Sequence, residues 1–218
     1  MKYAVNLSRF DDFNAEAEKA PVYEGGVLLY GSSFFTNWGR ERAHDQLWAE
    51  SGGKLNVTNR GFGGATADEL LYFYPRLVRP VKPKMVVWRG GPNEFGHGQS
   101  PEEAWMMAMR NFSWMKKDFP GVKIVILCVF EHLSCTDPER QRKYHAYDML
   151  AQKYAADNEN VYFLDMNDFF HVSPDDVGTF EHFRDIFLSD GLHMTDQGYE
   201  EYTRYITPKL VNILNCPD

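Results

Sequence analysis

The stretch that decides the fold is VLLYGSSFFTNW, at residues 27–38. An apolar run with strand character leads into Gly31, two serines follow at once, and a helix-like segment begins near Trp38. This pattern predicts a strand that turns directly into a helix. In an open parallel sheet such turns bind ligands, because the following helix presents free backbone N–H groups. Ser32 or Ser33 is therefore a candidate nucleophile; the alternative is that these serines only cap the helix.

Apolar runs and helical segments alternate along the rest of the chain. Strands are predicted at residues 27–31, 54–59, 84–88, 122–130 and 161–164. Helices are predicted over residues 38–50, from Thr66, from Ser100, over 137–157 and over 195–214. The connections are long enough to cross over, which implies a parallel sheet covered by helices on both faces. The predicted class is α/β, with one domain over residues 1–218 and an N-terminal arm at residues 1–20.

The composition is typical of a soluble globular protein. The chain has 218 residues, of which 44% are hydrophobic and 25% charged. Its net charge of −8 argues against nucleic acid as a partner, because phosphate binding needs clustered Lys and Arg. The first residues lack the apolar segment of a signal peptide, and the run at residues 124–130 is too short to span a membrane. We therefore expect a cytoplasmic location without membrane insertion, unless a leader has been removed.

The sequence contains no pattern typical of a metal or nucleotide cofactor. The cysteines are odd in number and show no CxxC spacing, and no HExxH occurs. The glycines of residues 61–64 lack the third glycine of a dinucleotide fingerprint, because Thr66 stands there, and no Walker A pattern occurs. We expect no cofactor and no metal, and we expect Cys128 to be a buried small hydrophobic residue.

Asp190 and His193 lie three residues apart in a loop that leads into the last helix. A turn over that spacing can place the carboxylate on one imidazole nitrogen and leave the other free to accept a proton from a hydroxyl. Serine needs such a base to act as a nucleophile. Taken alone, the pair is weak evidence, and a surface Asp–His contact is the default interpretation.

A tetrahedral intermediate also needs hydrogen-bond donors for its oxyanion. The turn at Gly63 and Gly64 lets a backbone N–H approach closely, and Asn93 carries a neutral amide donor. The alternatives are a simple tight turn for the glycines and an Asx-turn for Asn93. These features follow the first three strands or precede the last helix, so a doubly wound sheet would place them on one rim.

Four blocks of the chain together resemble the SGNH hydrolases, also called GDSL esterases and lipases. In the order of that family they are Gly-Ser-Ser at 31–33, Asn-Arg-Gly-Phe-Gly-Gly-Ala-Thr at 59–66, Gly-Pro-Asn-Glu at 91–94 and Asp-Gly-Leu-His at 190–193. The resemblance implies a three-layer α/β/α flavodoxin-like sandwich with a five-stranded parallel sheet in the order 2-1-3-4-5.

The resemblance also implies a role for each matched residue. Ser33 is the implied nucleophile, His193 the base and Asp190 the carboxylate that orients it. The implied oxyanion hole consists of the backbone N–H groups of Ser33 and Gly64 and the side chain of Asn93. The substrate would be a small-molecule ester.

Two positions depart from the family pattern. Ser32 stands where the family name has aspartate, which resembles a Gly-Ser-Ser branch and leaves Ser32 as a rival nucleophile. Glu94 stands where aspartate usually follows the asparagine, and we expect it to hold the loop. Of the remaining polar residues near these blocks, we expect His97 to be a polar loop residue and Arg89 to pair with a nearby acid; the alternative for Arg89 is a substrate carboxylate.

The sequence thus predicts a serine esterase that hydrolyses esters of small acyl groups. The preferred substrate is an acetyl ester, for example one on a carbohydrate. The alternatives are a lysophospholipase or thioesterase and a catalytically silent relative that binds ligands. The sequence is compatible with a homo-oligomer but does not specify the oligomeric state. The acidic and aromatic segment at residues 165–189 is unusually long for a connection, which is typical of a functional loop or of a connection that carries a small helix, here one capped at Ser173 and Pro174.

Overall fold

Five parallel strands form the centre of the molecule. The computed structural model describes residues 15–217, in which the strands are β1 (Val27–Gly31), β2 (Val57–Asn59), β3 (Met85–Arg89), β4 (Lys123–Leu127) and β5 (Val161–Leu164). They form one sheet in the order β2-β1-β3-β4-β5, and every neighbouring pair is parallel. The α/β class predicted from the sequence and the strand order implied by the family resemblance are both confirmed.

Helices follow the strands in the expected alternation. They are α1 (Ser33–Trp38), α2 (Arg40–Glu50), α3 (Ala67–Leu77), α4 (Pro92–Gly96), α5 (Pro101–Asp118), α6 (Pro138–Ala156), α7 (Asn167–Phe170) and α8 (Asp196–Leu214). Their start signals form as the sequence predicts. The Ser100 hydroxyl accepts a hydrogen bond from the Glu103 N–H at 3.2 Å, and the Thr195 hydroxyl accepts one from the Gly198 N–H at 3.0 Å.

Alternate side chains of each strand enter separate cores on the two faces of the sheet. In β1, Leu28 and Tyr30 pack on one face, and Val27 and Leu29 pack on the other. The first core is completed by α3, α5 and α6, through residues that include Leu70, Phe73, Phe112 and Tyr147. The second is completed by α1, α2 and α8, through residues that include Phe35, Trp38, Leu47 and Tyr202. The result is the predicted three-layer α/β/α sandwich.

The helix predicted over residues 38–50 begins earlier than expected and is divided in two. Helix α1 starts at Ser33, directly after β1, and Gly39 separates it from α2. The backbone of Gly39 has a φ of 82°, a conformation that glycine adopts without strain and that ends the first helix. Phe34, Phe35 and Trp38 are buried on α1, so tertiary packing stabilises a helix of only six residues.

Other boundaries differ because pairing with a neighbouring strand sets the length of each strand. The strand predicted at 54–59 spans only Val57–Asn59, which pairs with β1, and the one predicted at 122–130 ends at Leu127, opposite Leu164 of β5. The strand predicted at 84–88 spans Met85–Arg89, so Arg89 is its last residue. The short helices α4 and α7 were not predicted.

Only the end of the predicted N-terminal arm can be compared with the structure, because residues 1–14 lie outside the described residues. Residues 15–19 are helical, and Ala17 is buried in the core beside α3. Arg60 donates a hydrogen bond to the Ala17 carbonyl. The end of the arm is therefore packed against the domain. No helix within residues 15–217 has the length and apolar character needed to cross a membrane.

Candidate active site

Ser33 is placed at the carboxyl edge of the sheet by the turn from β1 into α1. As the first residue of α1, its backbone N–H has no acceptor within the helix, and its side chain is half-buried. Its Oγ lies 3.0 Å from Nε2 of His193, which is 160 residues away in the sequence. The two segments that the sequence singled out therefore meet at hydrogen-bonding distance.

Asp190 holds the other side of the His193 ring. Its Oδ2 lies 2.6 Å from Nδ1 of His193, and its Oδ1 accepts hydrogen bonds from the backbone N–H groups of His193 and Leu192, both at 2.9 Å. A carboxylate at this position fixes the tautomer in which Nδ1 carries the proton and Nε2 accepts one. The geometry is that of a Ser-His-Asp triad.

The ionisation of Asp190 follows from the same contacts. Its slight burial acts to raise the pKa, but the N–H groups of His193 and Leu192 and the His193 ring stabilise the charged form and lower the pKa to about 2. The Asp190 carboxylate is therefore charged at any pH well above about 2.

Asn93 lies in α4 and lines the same cavity as Ser33 and His193. One of its amide hydrogens is donated to the Ala65 carbonyl at 2.8 Å, which leaves the second hydrogen for a ligand. This bond ties α4 to the glycine-rich turn. Gly64, with a φ of 73°, lies in that turn next to Ala65, but it does not line the cavity. Its predicted place in an oxyanion hole stays a prediction.

The Glu94 side chain links the start of α3 to the turn that precedes α4. Its Oε1 accepts a hydrogen bond from the Ala67 N–H at 2.7 Å, and its Oε2 accepts one from the Gly91 N–H at 3.2 Å. The carboxyl is buried, and this burial raises its pKa to about 7, against the opposing effect of the N–H donors. Glu94 therefore holds the loop that carries Asn93, as expected from the sequence.

Replacing Glu94 by glutamine is expected to change how stability depends on pH. Between the usual pKa near 4.5 and the native pKa near 7, the unfolded chain loses its proton while the folded protein keeps it. Wild-type stability relative to Glu94→Gln should therefore fall, by up to about 3 kcal/mol, as the pH rises through this window.

The measurement is urea unfolding of both proteins at about pH 5 and about pH 8. Asp148, whose pKa burial also raises to about 7, and His132, whose pKa burial lowers to about 4, are present in both proteins, so their effects cancel in the difference. The matched control is Glu159→Gln. Glu159 is exposed on a turn, so this variant should follow the pH dependence of wild type. If the free energies of unfolding of wild type and Glu94→Gln differed by the same amount at both pH values, the raised pKa of Glu94 would be contradicted.

The cavity beside Ser33 is small, with a volume of about 30 Å³. Its lining comes from the start of α1, the end of β3, α4, the segment after β4, the last loop and α8. The residues are Ser32, Ser33, Phe34, Arg89, Pro92, Asn93, Phe130, Leu192, His193 and Tyr199. A water molecule occupies about 10–15 Å³ on this scale, so the cavity holds a group of only a few heavy atoms.

Three other polar residues flagged by the sequence have distinct places. Ser32 also lines the cavity, but within the described chain His193 hydrogen-bonds to Ser33 and not to Ser32. His97 follows α4 and does not line the cavity. Arg89 lines it but forms no ion pair with any acid of residues 15–217, so the pairing expected from the sequence is not formed there.

Sequence reasoning missed a network that fixes the segment at residues 165–189. The buried carboxylate of Glu131 lies 3.0 Å from Nε2 of His171 and accepts hydrogen bonds from the N–H groups of Gly178, at 2.8 Å, and Phe180. Phe170 of this segment stacks on Phe130, with ring centres 4.2 Å apart, and Phe130 lines the cavity. The segment therefore supports one wall of the site. The sequence offers no spacing that links Glu131 to His171.

Within the described residues, no group of three or more His, Cys, Asp or Glu side chains is arranged to hold a metal ion. Cys128 is buried, as expected.

Comparisons with known proteins bear on the family. The sequence profile of the GDSL-like Lipase/Acylhydrolase family matches residues 29–201. A comparison with curated protein sequences gives no match.

Several solved structures share the fold. A Streptococcus pneumonia protein provisionally described as a platelet activating factor is 18% identical, with 94% of each chain covered and a TM-score of 0.74. A provisionally assigned acylhydrolase from Bacteroides fragilis NCTC 9343 is 20% identical, with 96% of this chain and 98% of that chain covered and a TM-score of 0.70. The acetyl xylan esterase AlAXEase is 18% identical over 85% of this chain and 98% of its own, with a TM-score of 0.63. At such identities the likeness establishes the fold alone.

Proposed function

The chain belongs to the GDSL-like lipase/acylhydrolase family, and on that premise we propose that it is a serine esterase for small acyl groups that forms an acyl-enzyme on Ser33. The observation that carries the proposal is the chain of hydrogen bonds from Ser33 Oγ to His193 Nε2, at 3.0 Å, and from His193 Nδ1 to Asp190, at 2.6 Å. Ser33 lies at the N-terminus of α1 and lines a cavity together with His193.

In the first step, Ser33 Oγ attacks the ester carbonyl carbon while its proton passes to Nε2 of His193. The resulting imidazolium is stabilised by the charged carboxylate of Asp190. The tetrahedral intermediate then collapses, the bond to the alcohol oxygen breaks, and the alcohol leaves with the proton from His193. Ser33 now carries the acyl group as an ester.

The oxyanion of this intermediate needs donors already in place. Ser33 offers its backbone N–H, which has no acceptor within α1, and Asn93 offers its second amide hydrogen. We propose that the Gly64 N–H is the third donor, reached when the substrate occupies the site. Removing one such donor typically costs about 3 kcal/mol of transition-state stabilisation.

Deacylation repeats these steps with water. His193 removes a proton from a water molecule, the hydroxide attacks the acyl carbonyl, and the proton returns to Ser33 Oγ as the carboxylic acid leaves. The same residues therefore serve both half-reactions, and no cofactor is needed.

The dimensions of the cavity favour a short acyl group. Phe34, Phe130 and Tyr199 line it, and the volume of about 30 Å³ suits an acetyl group better than a long chain. An acetylated carbohydrate fits this proposal. The fold neighbour AlAXEase is described as an acetyl xylan esterase, which is compatible with it.

We expect kcat/KM to fall along the series p-nitrophenyl acetate, butyrate and octanoate, by about tenfold or more from first to last, because longer chains do not fit between the rings. The measurement is release of p-nitrophenolate under initial-rate conditions, with each ester also followed without protein. A rate that climbs with acyl length would instead favour a lysophospholipase or thioesterase. Absence of hydrolysis with every ester would favour a silent ligand-binding relative.

A further inference from the structure

Arg89 brings a positive charge to the cavity that also contains Ser33. It is the last residue of β3, paired in register with Gly31 of β1, and only 3% of it is exposed. Its guanidinium carbon lies 4.4 Å from the ring centre of Phe130 and 5.6 Å from that of Phe34. Two rings that line the cavity therefore hold the guanidinium beside the proposed nucleophile.

No carboxylate within residues 15–217 pairs with this guanidinium. Its Nε is buried without an acceptor, and no hydrogen bond joins its other nitrogens to the described part of the chain. Asp148 attracts Arg89 through space but forms no salt bridge with it, and Asp148 Oδ1 accepts a hydrogen bond from the Val129 N–H. Burial lowers the pKa of Arg89, yet the side chain stays charged because its ordinary pKa is so high.

An unpaired buried charge is costly, so its presence needs a reason. The contacts with Phe34 and Phe130 use the charge of the guanidinium but none of its N–H donors, which remain available to a ligand in the cavity. A planar guanidinium binds a carboxylate through two parallel N–H···O bonds, and the low dielectric of a buried site strengthens them.

We propose that Arg89 binds an anionic group of the substrate, so that the ester hydrolysed at Ser33 carries a carboxylate close to its scissile carbonyl. The proposal rests on the esterase function proposed above. The carboxylate must be near the carbonyl, because Arg89 and Ser33 line one small cavity. The net charge of −8 gives the protein no general attraction for anions, so recognition depends on this local cation.

Matched pairs of esters test the proposal and locate the carboxylate. On the acyl side, monoethyl malonate is compared with ethyl isovalerate, in which an isopropyl group replaces the carboxylate. On the alcohol side, O-acetyl-lactate is compared with its neutral amide, O-acetyl-lactamide. The readout is the ratio of kcat/KM for the charged ester to that for the neutral one, measured by proton release in wild type, Arg89→Met, Arg89→Lys and Arg110→Met.

Differences in intrinsic reactivity between two esters cancel when the ratios of two proteins are compared. We expect the ratio for at least one pair to be about 10- to 100-fold lower in Arg89→Met than in wild type, as expected when charge-assisted hydrogen bonds are lost. Arg89→Lys should restore part of it, because it keeps the charge but not the fork. Arg110 is exposed on α5, and Arg110→Met should leave the ratio as in wild type. Unchanged ratios for both pairs in Arg89→Met would overturn the proposal.

A binding measurement separates this proposal from the esterase function. The Ser33→Ala protein is titrated calorimetrically with the four esters, and so is the Ser33→Ala, Arg89→Met protein. Tighter binding of a charged ester that depends on Arg89 supports the proposal even if no ester is hydrolysed, whereas equal binding of charged and neutral esters by Ser33→Ala overturns it. Thermal melts show whether Arg89→Met is folded; if it is not, the comparison of Arg89→Lys with wild type decides, and equal ratios there would count against the proposal.

Discussion

Replacing Ser33 by alanine is expected to lower kcat for p-nitrophenyl acetate by about 10⁴- to 10⁶-fold. The Ser33 hydroxyl is the group that hydrogen-bonds to His193 Nε2, so its loss removes the proposed nucleophile while the oxyanion donors remain. KM should change much less than kcat, because Oγ contributes to a bond that forms during reaction and not to ground-state binding. The measurement is steady-state hydrolysis with purified wild type and variant.

Two other serines make this test specific. Ser32 lines the cavity next to Ser33, and Ser32→Ala should cost less than about tenfold, since His193 does not contact it. Ser113→Ala, on the exposed side of α5, is the matched control for the substitution itself. A fluorophosphonate should label wild type at Ser33, as mapped by mass spectrometry, and should leave Ser33→Ala unlabelled. Equal turnover by wild type and Ser33→Ala would end the case for an acyl-enzyme on this residue.

The parts of the site that the sequence predicted are those held by local geometry. Asp190 and His193 lie three residues apart, and the turn between them is closed by two N–H bonds to Asp190, so spacing alone indicated their contact. The position of Ser33 followed from the strand-to-helix signal at residues 27–38. Their convergence across 160 residues followed from the alternation of strands and helices, because a parallel sheet places successive loops on one edge.

The parts that the sequence did not predict depend on contacts between distant segments. Whether Arg89 meets an acid or an aromatic ring is decided by Phe34, which lies in α1, and Phe130, which lies in the segment after β4. Nothing in the residues next to Arg89 specifies those neighbours. Helix α1 likewise begins at Ser33 because its aromatic side chains are buried against α8, a stabilisation that helical propensity over six residues does not supply.

The substitution Asp190→Asn is expected to lower kcat by about 10²- to 10⁴-fold with little change in KM. Asparagine can keep one oxygen on the N–H groups of Leu192 and His193, but it then presents an NH₂ group to Nδ1 of His193. The ring must accept at Nδ1 and carry its proton on Nε2, the nitrogen that has to accept the proton of Ser33. The loop geometry survives while the base is lost.

The chain offers a closely matched control for this substitution. Asp176 and His182 form a second Asp–His pair, with 2.9 Å between Oδ1 and Nδ1, in the segment at residues 165–189. Asp176→Asn should change kcat by less than about twofold, because neither residue lines the cavity. Thermal melts of both variants separate loss of function from loss of fold.

The pH profile provides a second check on the role of Asp190. With a pKa of about 2, its carboxylate stays charged down to about pH 3, so the wild-type acid limb of kcat/KM above that pH must come from another group. If Asp190→Asn had the kcat of wild type across the whole profile, the carboxylate would have no part in the reaction, and the contact with His193 would be structural.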